Sequence, residues 1–391
     1  MKYYINEINA AGNIAVDDTI LVKGVPATAG SKMLENFVPL FSAEAVERLE
    51  AAGYTVSGKT NVGEFGLDLL GETSYFADGT AKSGAAAELV KEGKVKAALS
   101  VDLNGAPRRA AAISGVTFIK PTYGTVSRYG VIACACSGEQ IGVTAKNAKA
   151  AAEVLSVIAG HDPKDGTSLK AERYEYTLDK DVADMKLCVI SELYDAATNE
   201  VKAKIDAYMK ALENKGAKVE RVSFSLANAA QTAWQILMAA ESCNNLSRFD
   251  GVKYGYRAEN YKNIGELYVN SRTEGFGFLT KATIIYGSDV LAKDKYDSCY
   301  DKSLKIRSVV MTAIKDLLGR FDAAIAPACS TFNFGALTED TEFSKVYDES
   351  LFTAIPSITG LPAVVNGGVQ LIGDSFNESV LLSIANSVEE A

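Results

Sequence analysis

Few side chains in this 391-residue chain are of the types that carry chemistry at neutral pH. There is one histidine, His161, directly after Gly160 at an expected helix end. A single imidazole argues against a Ser-His-Asp triad or a histidine-rich metal site, and its place suits a helix C-terminal residue. The six cysteines (Cys134, Cys136, Cys188, Cys243, Cys299 and Cys329) are scattered and lie mostly in apolar runs. Cys134 and Cys136 are too close for an ordinary bridge, and no Cys-x-x-Cys pair accompanies them. They read as reduced thiols, not as zinc ligands. Arg108-Arg109 could grip an anion, but the favoured reading makes Arg108 a donor that ties loops together. Ser100, Ser114 and Ser137 lack a base and read as core or turn hydroxyls.

The elements that must position such groups centre on the stretch 82–124. It runs through a small-residue turn, a helix of small residues, an apolar strand and an Asn-Gly-Ala-Pro turn, and then a second apolar strand before Lys-Pro-Thr-Tyr-Gly. Upstream, 14–16 reads as a strand entering a turn at Asp17-Asp18. Ser42 is expected to cap a helix through Ala52 that Gly53 stops, and 54–57 reads as a strand. Downstream, 147–159 is expected to be a helix and 186–190 a buried strand. The run 199–215 is expected to form an amphipathic helix with Val201, Ile205, Met209 and Leu212 on its apolar stripe. The run 218–222 alternates like a strand. The region 231–291 looks helical and aromatic without strands, and 298–318 is a long helix. Strands are expected at 323–326, 364–365 and 369–372, and a closing helix at 378–388. Helices alternating with strands predict an α/β layered protein with a mixed or parallel sheet. We expect one domain over 1–391 with a helical insertion near 231–291.

Composition narrows the class. With 48% hydrophobic and 23% charged residues, the chain fits a globular protein with a sizeable core. Its net charge of −9 argues against general nucleic-acid binding. The N-terminus lacks the apolar core of a secretory signal, and no apolar run reaches the length of about 18 residues that spans a bilayer. The expectation is a cytoplasmic protein that avoids membranes.

Several ordered runs then carry a resemblance: SKMLENF (31–37), GKTN (58–61), IKPTYGTVSRYG (119–130), QIG (140–142), AGHDPKDGTS (159–168), SRTEGFG (271–277) and VQLIGDSFNE (369–378). Together they resemble the A subunit of glutamine-dependent aspartyl/glutamyl-tRNA amidotransferases, in the amidase-signature family. The resemblance implies a central mixed β-sheet covered by helices on both faces, and a chain that starts without the family's first helices. It implies hydrolysis of glutamine to ammonia by a Ser nucleophile, a second Ser and a Lys base, with no cofactor and no metal. It also implies B- and C-like subunits for partners.

Carried over residue by residue, the catalytic set is altered. The base position is Asp17, the second serine is replaced by Lys82 with Ser83 beside it, and the nucleophile position is Ala106. Leu103, Asn104 and Gly105 occupy the turn that would hold the oxyanion. Trp234, Thr283 and Ser350 fall near positions that would line the substrate pocket. Asp17 and Lys82 are expected to form an ion pair in the old centre. The resulting expectation is an inactive pseudo-amidase that serves as a scaffold or interaction subunit. The alternatives are a working amidotransferase component or amidase, in which Ser83 and Lys82 are the one nearby couple, and a small-ligand binding protein. A Ser–Lys couple needs a neutral lysine, which a nearby Asp17 opposes.

Overall fold

Apolar residues alternate sides along the strands, and this period of two is why helices cover both faces of the sheet. The protein is described by a computed structural model over residues 3–71, 73–76, 84–170, 174–333 and 339–389. Its strands are β1 (Tyr4–Glu7), β2 (Ile14–Asp17), β3 (Val56–Thr60), β4 (Ala97–Asp102), β5 (Thr117–Lys120), β6 (Gln140–Ala145), β7 (Lys186–Ile190), β8 (Lys218–Val222), β9 (Ala323–Pro327), β10 (Ala363–Asn366) and β11 (Val369–Ile372). All eleven form one sheet in the order β1-β3-β2-β4-β6-β5-β10-β11-β9-β7-β8. Pairing is parallel where β2 meets β3 and β4, and again through β9, β7 and β8. The strands between, from β4 to β9, pair antiparallel. The expected mixed sheet is present.

On one face, Ile14, Val16, Leu187 and Val189 pack with helices Glu44–Ala51, Ala148–Ile158 and Asn199–Asn214. On the other, Ala15 and Ala98 meet the small-residue helices Ala85–Lys91 and Ala106–Ser114. Farther along that face, Cys188, Ile190 and Ala324 meet helices Ala227–Leu246 and Lys302–Leu318. Alanine at the strand positions under Ala85–Lys91 and Ala106–Ser114 brings those helices close to the sheet.

Several expectations shift in physical detail. Ser42 does not cap its helix: its Oγ accepts the Lys23 N–H at 3.0 Å, and Ala43 takes the cap position without a side-chain bond. The strand expected at 54–57 is β3, Val56–Thr60, because its parallel partner β2 sets its bounds. On Asn199–Asn214 the buried stripe runs through Tyr208 and leaves Met209 half-buried. The long helix begins at Lys302, preceded by a π-helical turn, Asp297–Asp301. The 231–291 region holds helices Ala227–Leu246, Ile264–Gly275 and Phe278–Val290. Sequence reading missed β1, a half-exposed edge strand, and the polar helix Glu339–Ser350, whose composition shows no clear apolar stripe.

Candidate functional site

Two of the expected positions meet at one cavity. Asp17 ends β2, and Ala106 opens the helix Ala106–Ser114 after the turn that follows β4. Both line a cavity of about 80 Å³ together with Thr60, Asn61, Ser74 and Ser100, and a rim of glycine and alanine. An apolar cavity of roughly 150 Å³ takes a benzene, so this one is sized for a few waters or a very small molecule. Lys82 and Ser83 lie outside the described residues, and so does the expected Asp17–Lys82 ion pair.

Asp17 is 4% exposed and held by donors. The Thr19 N–H donates to Oδ1 at 2.8 Å, the Thr19 hydroxyl donates to the same oxygen, and the Val101 N–H donates to Oδ2 at 2.8 Å. Burial raises its pKa against the pull of these bonds and of the Lys59 charge. Next to it, Asp18 accepts from the Thr28 N–H at 2.7 Å and from its hydroxyl. Lys59 Nζ stands 3.7 Å from Asp18 Oδ1, an ion contact too long for a hydrogen bond, and donates instead to the Ile20 carbonyl. Burial raises the Asp18 pKa and lowers that of Lys59, each partner's charge opposing the shift in the other. Sequence reading missed Lys59, which sits within the quoted GKTN run. Its signal would have been a lysine in an otherwise buried strand.

The turn at Leu103, Asn104 and Gly105 is tightly built. Gly105 has φ +99°, and a Cβ there would stand 2.4 Å from Thr353 Cβ, so the position needs glycine on both counts. Leu103 is buried in the apolar core. Asn104 Oδ1 accepts from Trp234 Nε1 at 3.1 Å and from Gln235 Nε2 at 3.2 Å, while its Nδ2 donates to the Leu67 carbonyl at 3.3 Å. Thr353 Oγ1 donates to the Asn104 carbonyl at 2.7 Å. Arg108 is fully buried and donates five hydrogen bonds: a fork to both oxygens of Asp102, and others to the Thr353 carbonyl, Gln370 and Ser357. This is the loop-tying role expected of it. Arg109 lines the cavity and reaches Glu349 at 3.4 Å and the Leu69 carbonyl at 3.2 Å.

The three residues expected near the substrate pocket are buried and do not line this cavity. Trp234 is spent on Asn104, and its ring closes over Gly138, where a Cβ would fall 2.0 Å from Cη2. Thr283 donates to the Leu279 carbonyl of its own helix at 2.9 Å. Ser350 donates to the Tyr347 carbonyl at 2.6 Å, which also accepts from Gln231, one turn before Trp234. Glu64, which sequence reading passed over, anchors the helix that carries Thr283. Its Oε2 accepts the Gly277 N–H at 2.8 Å and the Thr280 hydroxyl at the N-terminus of Phe278–Val290, where a carboxylate suits the helix dipole.

Chemically, the described lining offers hydroxyls, amides, carboxylates and one guanidinium, and it holds no lysine, histidine or cysteine. Ala106 contributes to it only a methyl group, which has no atom able to attack a carbonyl. Ser74 donates to Asn61 Oδ1 at 2.5 Å. Thr60 Oγ1 and Asn61 Nδ2 are buried without a hydrogen-bond partner among the described residues. Among the described residues, no group of three or more His, Cys, Asp or Glu side chains could hold a metal ion. Nor is any described helix long and apolar enough to cross a membrane.

Known proteins place this geometry. The Amidase family model matches residues 13–382. The A subunit of the glutamyl-tRNA(Gln) amidotransferase of Halothermothrix orenii is 37% identical over 97% of this chain and 84% of its own length. That of Agathobacter rectalis is 38% identical over 96% and 80%. The crystal structure of the same protein from Thermotoga maritima superposes with a TM-score of 0.80 at 27% identity, covering 100% of this chain and 86% of that one. The mixed sheet with helices on both faces is therefore the amidase fold, and the chain belongs to the amidase family, within its group of amidotransferase A subunits.

Proposed function

We propose that this chain is a relative of the amidotransferase A subunits that has lost glutamine hydrolysis and serves as a scaffold or interaction protein. The observation that carries this reading is Ala106. It stands at the exit of a tightly built turn, on the same cavity that Asp17 lines, with no atom able to attack a carbonyl. The names of the relatives fit a working enzyme equally well, and the residues of the cavity favour the inactive one. The partners are B- and C-like amidotransferase subunits or another protein in the cytoplasm, with no direct nucleic-acid contact from a chain of net charge −9. The whole chain acts as one amidase-type domain in which the helical region near 231–291 is an insertion. A glutaminase assay on the purified protein tests it: no ammonia release above buffer is expected. Turnover that Ser83→Ala abolishes would establish the active reading instead.

A second reading, a small-ligand binding protein, draws on the unpartnered Thr60 hydroxyl and Asn61 amide in the cavity. A thermal-shift screen of small amides and carboxylates separates it from the scaffold reading, which expects no shift.

A further inference from the structure

Away from the Asp17 cavity, the protein carries a larger groove of about 720 Å³. Leu21, Met33 and Leu34 form its buried apolar floor. Phe37, Val38 and Tyr254 stand on its walls with 40%, 47% and 48% of their surfaces exposed. Leu40 and Phe41 extend the apolar strip past the end of the groove, Leu40 at 86% exposed. Exposed apolar side chains gathered along one groove mark an interaction surface more often than chance scatter.

The segment bearing them is bonded on one side only. The Phe37 carbonyl accepts from the Ala27 N–H at 3.0 Å, and the Pro39 carbonyl accepts from the Gly24 N–H at 2.9 Å. Alternate carbonyls thus turn inward. The N–H and carbonyl groups of Val38 and Leu40 between and beyond them make no hydrogen bond among the described residues. A strip with inward bonds at alternate residues and free groups at the others is an open edge for an added strand.

Charge selects the occupant. Arg248 lines the groove, and among the described residues its guanidinium bonds only to Asn245 at the end of its own helix. Lys253 lies in the turn beside Tyr254, and Lys23 lies next to Gly24 and is tied by its backbone to Ser42. None of these three cations forms an ion pair with a carboxylate among the described residues, although the chain as a whole carries −9. Nearby, Asp250 is spent accepting the N–H groups of Val252 and Lys253.

We propose that the groove between the Phe37–Phe41 strip and the Arg248–Gly255 turn docks an extended segment of a partner protein whose apolar side chains alternate with carboxylates. The backbone of that segment pairs with Val38 and Leu40, its apolar residues enter the groove, and its acidic residues meet Arg248 and Lys253. The interaction role proposed above gives this groove its purpose, but the groove does not depend on the state of the catalytic centre. Detection of glutaminase turnover would remove that role and leave the groove standing.

The test uses the full chain and a fluorescent nine-residue probe peptide of alternating Leu/Val and Asp/Glu, read by anisotropy. Saturable binding is expected, about tenfold weaker after R248E with K253E, and lost when the peptide is N-methylated at alternate bonds. Val38→Asp is expected to weaken it while leaving the melting temperature near that of the parent, since the side chain is half exposed. A lysine-for-acid peptide that binds equally well, or a probe that fails to bind at all, would overturn the proposal. Concentration-dependent dimers in light scattering that Val38→Asp dissociates would assign the groove to a second copy of this chain and overturn it as well.

Discussion

The turn around Arg108 and the cavity at Asp17 lie side by side, and they differ in how completely their polar groups are paired. At the turn, Asp102, Asn104, Arg108, Thr353 and Gln370 satisfy one another through side-chain and carbonyl bonds. At the cavity, Thr60 Oγ1 and Asn61 Nδ2 have no hydrogen-bond partner among the described residues, and next to Asp17 the Asp18 Oδ1 has only an ion contact at 3.7 Å. Buried polar groups are normally paired, so unpaired ones concentrate where structure alone does not require them. The difference teaches that the turn is held by its own closed set of hydrogen bonds, whatever the state of the groups in the cavity beside it.

The largest way to break this comparison is Arg108→Met. It strands the Asp102 carboxylate, which is fully buried and has no other hydrogen-bond donor among the described residues, so a loss of about 3–5 kcal/mol in urea unfolding is expected. A loss under about 1 kcal/mol would mean that the turn is not held as described. A paired test is smaller. Thr353→Val removes a bonded hydroxyl and should cost about 1 kcal/mol, whereas Thr60→Val removes an unpartnered one and should be neutral or slightly stabilising. Equal costs would erase the contrast between the two regions. The smallest effect concerns pH. Because burial raises the Asp17 pKa above its ordinary 3.8, the folded state holds its proton more tightly than the unfolded chain does. Stability from this group is therefore present below the unfolded value and declines as pH rises through the folded one. Asp17→Asn should flatten that decline above its ordinary value of 3.8 in melting-temperature profiles. A variant as steep as the parent would place the titration elsewhere.

How far the sequence could be read follows from which interactions are local. The cap by Asn147, whose Oδ1 accepts the Ala150 N–H at 2.9 Å, and the stop at Gly53, with φ +87°, are settled within a few residues. The short apolar runs at 186–190 and 323–326 likewise need only neighbours, and buried strands occur where those runs put them. Ser42 misled because a hydroxyl near a helix start is also free to bond a distant chain segment, here Lys23.

By itself, then, the sequence determined the family, the layered mixed sheet and the chemical emptiness of position 106, since these rest on residue type and local periodicity. Only the tertiary structure decided that Trp234 closes on Asn104 across 130 residues, that Lys59 is committed to Asp18 and Ile20, and that the strip at Val38 is left open on one side. The physical reason is common to all three. A buried polar group takes whichever partner the packed chain brings within about 3 Å, and spacing along the sequence carries no record of that choice.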